Sequence, residues 1–167
     1  IQMPFISNYV IKTLKPKNCS VIGIHDNENY LALSRSFEAD AKAAGVNIVS
    51  VENIRLADSD FSTVATKVVA QTIDCLHVSA PAPQSAYLII QLRQAGLKSD
   101  VRIFGHTSLA SPQFISTGGK AVDGTYLIAD WAPGGSTDLG RAFYKGFKEK
   151  TGQEADNWHA VGYSGFY

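Results

Sequence analysis

Several features are scarce in this 167-residue chain, and each scarcity removes a class of function. No apolar run approaches the roughly 20 residues that a membrane-spanning helix needs, so direct membrane insertion is not expected. Neither sign of charge is in excess: 15 Lys and Arg stand against 15 Asp and Glu. Non-specific attraction to nucleic acid or an anionic surface needs a basic surplus, so no nucleic-acid partner is expected. There are two cysteines, Cys19 and Cys75, with no CxxC or Cys/His spacing, which argues against structural zinc. Each opens an apolar run, so each reads either as a small buried hydrophobe or as half of a bridge between neighbouring strands. The residues leave that choice open.

The 14 glycines are never arranged as GxGxxG, as GxxxxGK[ST] or as a GxSxG elbow. "STGGKAVDG" contains Gly-Gly-Lys, but it precedes a strand rather than joining strand to helix. No loop at a strand end supplies the free backbone amides that a flavin or phosphate would need. No cofactor is expected, and a flavodoxin-like enzyme or phosphate binder is disfavoured. The opening "IQMPFISNYV" lacks the basic start and continuous apolar centre of a signal peptide.

What is present is alternation. "CSVIGI", "VNIVSVENI", "CLHVSA", "VRIFGHT" and "GTYLIAD" read as five strands, rich in β-branched residues. Between them lie helical periodicities. "PFISNYVIKTL" predicts a first helix whose inward face is Phe5, Tyr9 and Ile11 to Leu14, ended by Lys15-Pro16. Tyr30, Leu33, Phe37, Ala41 and Ala44 define a second helix, stopped at Gly45. A third, capped by Asp60 or Ser59, carries Phe61, Val64, Val68 and Val69. A fourth turns Tyr87, Leu88, Leu92 and Ala95 inward and stops at Gly96. Leu139, Phe143, Gly146 and Phe147 mark a further helix ending at Gly152. Strand-helix alternation with short joints predicts an α/β fold: a doubly wound parallel sheet of about five strands with helices on both faces. "APGGSTD", 132 to 138, is the one composition break.

In such a sheet ligands lie beyond the carboxyl ends of the strands. The candidate residues there are His25, Asp26, Asn27 and Tyr30 after strand one, Pro81 and Ala82 after strand three, and His106, Thr107 and Ser108 after strand four. Asp26 and Asn27 are also ordinary cap and turn formers. For His25 and Asp26 to hold a metal a third ligand is needed, for which His106 is a candidate, but there is no HxH or ExxH pattern, so no metal is expected. His77, between Leu76 and Val78, reads as a satisfied core histidine. No spacing selects a Ser-His-Asp triad, so the chain is not expected to be an enzyme.

Seven stretches in order then carry a resemblance: "VIGIHDNENY", "FEADAKAAGVNIVSVENI", "DSDFSTVATKV", "LRQAGLK", "GHTSLASPQFI", "GGKAVDGTYLIADWAP" and "AFYKGFKEKTGQEADNWHAVGYSGF". From about Pro4 onward the chain resembles the second lobe of type I periplasmic binding proteins, the leucine-isoleucine-valine binding family of ABC importers. The resemblance implies two α/β lobes closing on a small solute, a membrane permease as partner, and a periplasmic or extracellular location. It implies that residues 1–131 are the second lobe, and that 132–167 are a crossover and helices belonging to a first lobe. That first lobe would account for about 120 further residues, an ordinary domain size. The family's ligand-facing positions fall on Tyr30, on Pro81 beside Ala82, on Thr107 where amino-acid binders place an acid, and on Trp158. His25, Asn27 and His106 complete the expected site. A buried ammonium without a counter-charge costs several kcal/mol, so Thr107 favours an organic acid, aromatic acids included, over leucine unless Asp26 or Asp130 substitutes. The alternative is a ligand-sensing domain of a receptor or transcription regulator with the same fold.

Overall fold

Strand β1 (Asn18–Ile24) is buried along six of its seven residues, because it runs through the middle of the sheet. The computed structural model describes residues 2–135 and 137–165. Ser136, Phe166 and Tyr167, which fall in the expected crossover and last helix, lie outside the described residues. β1 is joined by β2 (Asn47–Ile54), β3 (Cys75–Ser79) and β4 (Arg102–Gly105), all parallel, in the order β2-β1-β3-β4. The chain winds outward from β1 to β2, then back across to β3 and β4. The switch in winding direction therefore lies between β1 and β3, where open α/β sheets place their ligands.

Successive strand residues point to opposite faces, so each face has its own core. Ile22, Ile24, Leu76, Val78 and Ile103 pack under α3 (Ser62–Val69), α4 (Ala82–Gln94) and α5 (Pro112–Gly118). Val21, Cys19, Cys75 and Phe104 pack under α1 (Gln2–Tyr9) and α2 (Glu28–Ala43). Cys19 and Cys75 are register partners and form a disulfide within this second core, which resolves the open choice in favour of the bridge.

The helices fall where their periodicity predicts, but two of them turn differently. The buried stripe is Met3 and Ile6 on α1 and Val10 just beyond it, with Ile11 and Leu14 packed partly against the same core, whereas Phe5 is 67% exposed. The segment carries two apolar stripes, and α2 covers the one with the slimmer side chains. On α4 Leu88 and Leu92 are buried as expected, but Tyr87 and Ala95 face outward and Ser85, Ala86 and Ile89 take the inner positions. Small residues there bring the helix close to the sheet. Gly45 and Gly96 end α2 and α4 with φ of 77° and 105°, conformations that side chains disfavour.

The expected fifth strand is reduced to one parallel bridge, Phe104 to Tyr126. Tyr126 donates its N–H to Ile103 O at 2.9 Å and accepts from Gly105 N at 3.0 Å. Beyond it the chain leaves the sheet, so the alternation in "GTYLIAD" has one strand to pair with and then none. Helices α6 (Asp138–Thr151) and α7 (Asn157–Ser164) follow, joined by Phe143–Tyr163 and Phe147–His159 ring contacts, each at 4.7 Å.

Gly105, the last residue of β4, is a close-approach position. A Cβ there would lie 2.9 Å from Val78 O and against Leu109. Gly105→Ala is expected to cost about 1–3 kcal/mol by overpacking, read as a lower urea midpoint with an unchanged m-value. A midpoint matching the parent would show that the β4 end yields freely.

Candidate functional site

The carboxyl ends of β1, β3 and β4 bring together most of the residues expected at the site. Asn27 is the N-cap of α2: its side-chain oxygen accepts from Asn29 N at 3.1 Å and Tyr30 N at 3.4 Å. That cap fixes the first turn and with it Tyr30. Asn27 is thereby occupied as a structural acceptor. Asp26 is likewise spent on its loop, accepting from Leu56 N at 3.0 Å. His25 is exposed and its Nδ1 lies 2.9 Å from Ile54 O. A carbonyl only accepts, so Nδ1 carries a proton.

The wall of the site is Tyr30 against His106, ring centroids 5.4 Å apart. Ser79 Oγ donates to Tyr30 O at 2.8 Å and ties the α2 entry to the end of β3. His106 and Thr107 are 3% and 6% exposed, so they form a floor rather than a lip. Burial lowers the His106 imidazole to about 4, leaving it neutral at physiological pH. Burial raises the Tyr30 phenol, and the polar hydroxyl of Ser108 offsets part of that rise. Pro81, partly exposed, leads into α4, where Ala82 is buried at the first turn. Residues 106 to 108 read His-Thr-Ser, with no carboxylate.

Trp158 does not join this group. It stands half-exposed on α7, which meets α6 through ring contacts and Trp131 through the backbone N–H that donates to Asn157 Oδ1 at 3.0 Å. Ser108, by contrast, emerges as a participant. Its hydroxyl lies 3.0 Å from Ala80 O and 2.9 Å from His106 Nδ1. Its sequence signal was its place with His106 and Thr107 beyond the carboxyl end of the fourth strand.

His77 is fully buried between Phe37 and Phe104, at centroid distances of 5.0 and 4.9 Å, and neither ring nitrogen has a partner. It is a core histidine, but an unsatisfied one. The α1/α2 core around it is apolar, and the register neighbour that β4 supplies is Phe104 rather than a polar group. Among the described residues no three His, Cys, Asp or Glu side chains converge to hold a metal, and no helix is long and apolar enough to cross a membrane.

The geometry so far is a polar, aromatic half-wall at the switch point of an open α/β sheet. A family model described as "Periplasmic binding protein" matches residues 2–167. The chain belongs to the periplasmic binding protein family. Within it the chain is of type I and similar to the leucine-isoleucine-valine-binding proteins, which are substrate-binding proteins rather than enzymes. It is 27% identical over 124 residues to the Leu/Ile/Val/Thr-binding protein of Salmonella typhimurium, covering 74% of this chain and 33% of that protein. The leucine binding protein of Thermotoga maritima superposes with a TM-score of 0.90 at 25% identity, over 99% of this chain and 47% of its own. An extracellular ligand-binding receptor from Rhodopseudomonas palustris gives 0.84 at 26% identity, over 98% and 47%. This periplasmic binding protein thus spans about a third of the curated relatives it matches and about half of the solved ones.

Proposed function

We propose that this chain is the second lobe of a two-lobed solute-binding protein that captures a small organic solute in the periplasm or outside the cell and delivers it to the permease of an ABC importer. The observation that carries the reading is the Tyr30–His106 wall at the sheet's switch point, anchored through Ser79 and built on neutral groups. Tyr30 is its ligand-packing ring; His25, Pro81, Ala82, His106 and Thr107 surround it, and Asn27 holds its helix. Trp158 would join only through the approach of another lobe. Residues 132–167 fit as a crossover with helices of the first lobe, because α6 buries no side chain and Leu139 on it is 77% exposed. The Cys19–Cys75 disulfide agrees with an oxidising compartment.

An organic acid is favoured over an amino acid as the solute. Position 107 is Thr, where an ammonium would call for a carboxylate, and burying an ammonium unpaired costs several kcal/mol. The test is a thermal-shift screen of the intact protein against branched-chain amino acids, aromatic and aliphatic carboxylates and nucleotides. A ligand at 100 times its dissociation constant adds about 2.7 kcal/mol, or a shift of several degrees. Carboxylates are expected to shift the midpoint and leucine is not. A shift with leucine alone would overturn the carboxylate assignment, and a shift only with nucleotides would overturn the importer reading.

A further inference from the structure

Three residues past His106 a second concavity begins at Leu109, between α5 and the start of α7. Its volume is about 500 Å³, within the range of small-molecule sites. Leu109, Ile115, Leu127 and Pro133 make its wall largely apolar, and Trp131 and Asn157 also line it. Each of those two side chains carries a donor that meets nothing. Trp131 Nε1 and Asn157 Nδ2 are shielded from water, and neither has a hydrogen-bond partner among the described residues. Asn157 as a whole is 4% exposed. Its carboxamide cannot relieve this by turning over. The Oδ1 end accepts from the Trp131 backbone N–H at 3.0 Å, so the NH2 end is the free one. The indole is held as well: Phe143 meets it edge-on at 5.8 Å and Tyr144 lies at 6.2 Å. An unpaired buried donor is costly, and the great majority in folded proteins find an acceptor. Here two of them line one apolar groove.

A carbonyl oxygen, with two lone pairs, suits such a pair of donors. Its charge is constrained too. Among the described residues no Lys or Arg lines the groove, whereas Asp156 does, its carboxylate capping α7 through the His159 N–H at 3.0 Å. An anion would meet that carboxylate with no Lys or Arg to balance it. We propose that this groove is a second binding site, for a neutral carbonyl compound such as an amide. Its oxygen accepts from Trp131 Nε1–H and Asn157 Nδ2–H, and its apolar body lies against Leu109, Ile115 and Leu127. The site does not depend on which solute the Tyr30–His106 wall takes. Because both N–H groups are shielded, the groove wall must part to admit the oxygen, so exchange is expected to be slow.

The test follows the Trp131 indole and the Asn157 carboxamide by NMR in the nitrogen-labelled intact protein. The probes are benzamide and benzoate, which share a ring and differ in charge. Before any probe is added, the indole proton is expected outside the hydrogen-bonded range. Benzamide should move both groups along one saturable curve, and benzoate should leave both in place. Trp131→Phe removes the indole N–H and keeps a ring. Asn157→Asp keeps an acceptor for the Trp131 backbone and replaces the free donor with a second acceptor. Each variant is expected to weaken benzamide about tenfold, close to the worth of one hydrogen bond. An indole proton already hydrogen-bonded in the absence of benzamide overturns the proposal, as does unchanged affinity in both variants. Silence of both groups toward benzamide overturns it as well. An equal response to benzoate overturns the choice of a neutral carbonyl. A thermal shift with benzoate that leaves these two groups unmoved supports the separation of this site from the solute site.

Discussion

Between pH 6.5 and 4.5 this protein is expected to lose stability steeply, with His77 carrying about half of the loss. His77 is fully buried, and burial lowers its imidazole to about 3, with the neighbouring His106 adding a smaller push in the same direction. In the unfolded chain a histidine titrates near 6.5. The unfolded state therefore binds a proton that the folded state refuses, and stability falls as pH drops from 6.5 toward the folded value. Above 6.5 the two states hold equal protons and the effect vanishes. Each such group contributes about 1.4 kcal/mol per pH unit inside its window. His106, lowered to about 4, acts in parallel over most of the same range. At pH 4.5 the two together amount to roughly 5 kcal/mol, comparable with the whole stability of an ordinary domain. His77→Phe replaces the unpartnered ring with one that suits the Phe37 and Phe104 faces. Urea unfolding at pH 7.5 and 4.5 should show equal or greater stability for the variant at the upper pH. At the lower pH its advantage should be about 2–3 kcal/mol. Parallel pH profiles for parent and variant would sink the idea.

Removing the Cys19–Cys75 bridge is expected to have an effect of similar size. The two cysteines are 56 residues apart in sequence and face each other across β1 and β3. Closing a loop of that length restricts the unfolded chain by about 4 kcal/mol in the chain-entropy estimate. For a chain of this size that corresponds to a fall of roughly 10 °C in the melting midpoint. The double variant Cys19→Ala/Cys75→Ala should show it in a thermal melt. Both sulfurs are buried, so in the native parent a reductant should act only at the rate of opening. A parent reduced quickly without a change in midpoint would mean that the bridge contributes little to the fold. The two effects share one core, since His77, Cys19 and Cys75 all lie on the α1/α2 side of the sheet, and the triple variant should therefore depart from additivity.

The family came from the resemblance of seven stretches in order. Residue order and periodicity by themselves determined the succession of the first four strands and their helices, the glycine stops at 45 and 96 and the lack of a phosphate loop. These are local properties: a run of β-branched residues or a 3.6-residue stripe specifies its own backbone whatever lies across from it. The site was legible only as a set of strand ends, because the position of a ligand cleft follows from winding order. Which stripe of α1 is buried was left to α2, since Phe5/Tyr9 and Met3/Ile6/Val10 are equally periodic. The fifth strand required a neighbour as well as a pattern, and it faded to a single bridge where the sheet ended. The cysteine pair, the unpartnered imidazole of His77 and the role of Ser108 depended wholly on the tertiary structure. Each is a meeting of residues from different elements, and whether Cys19 faces Cys75, His77 faces Phe104 or Ser108 reaches Ala80 is decided by strand register and crossover, which no short window of sequence contains.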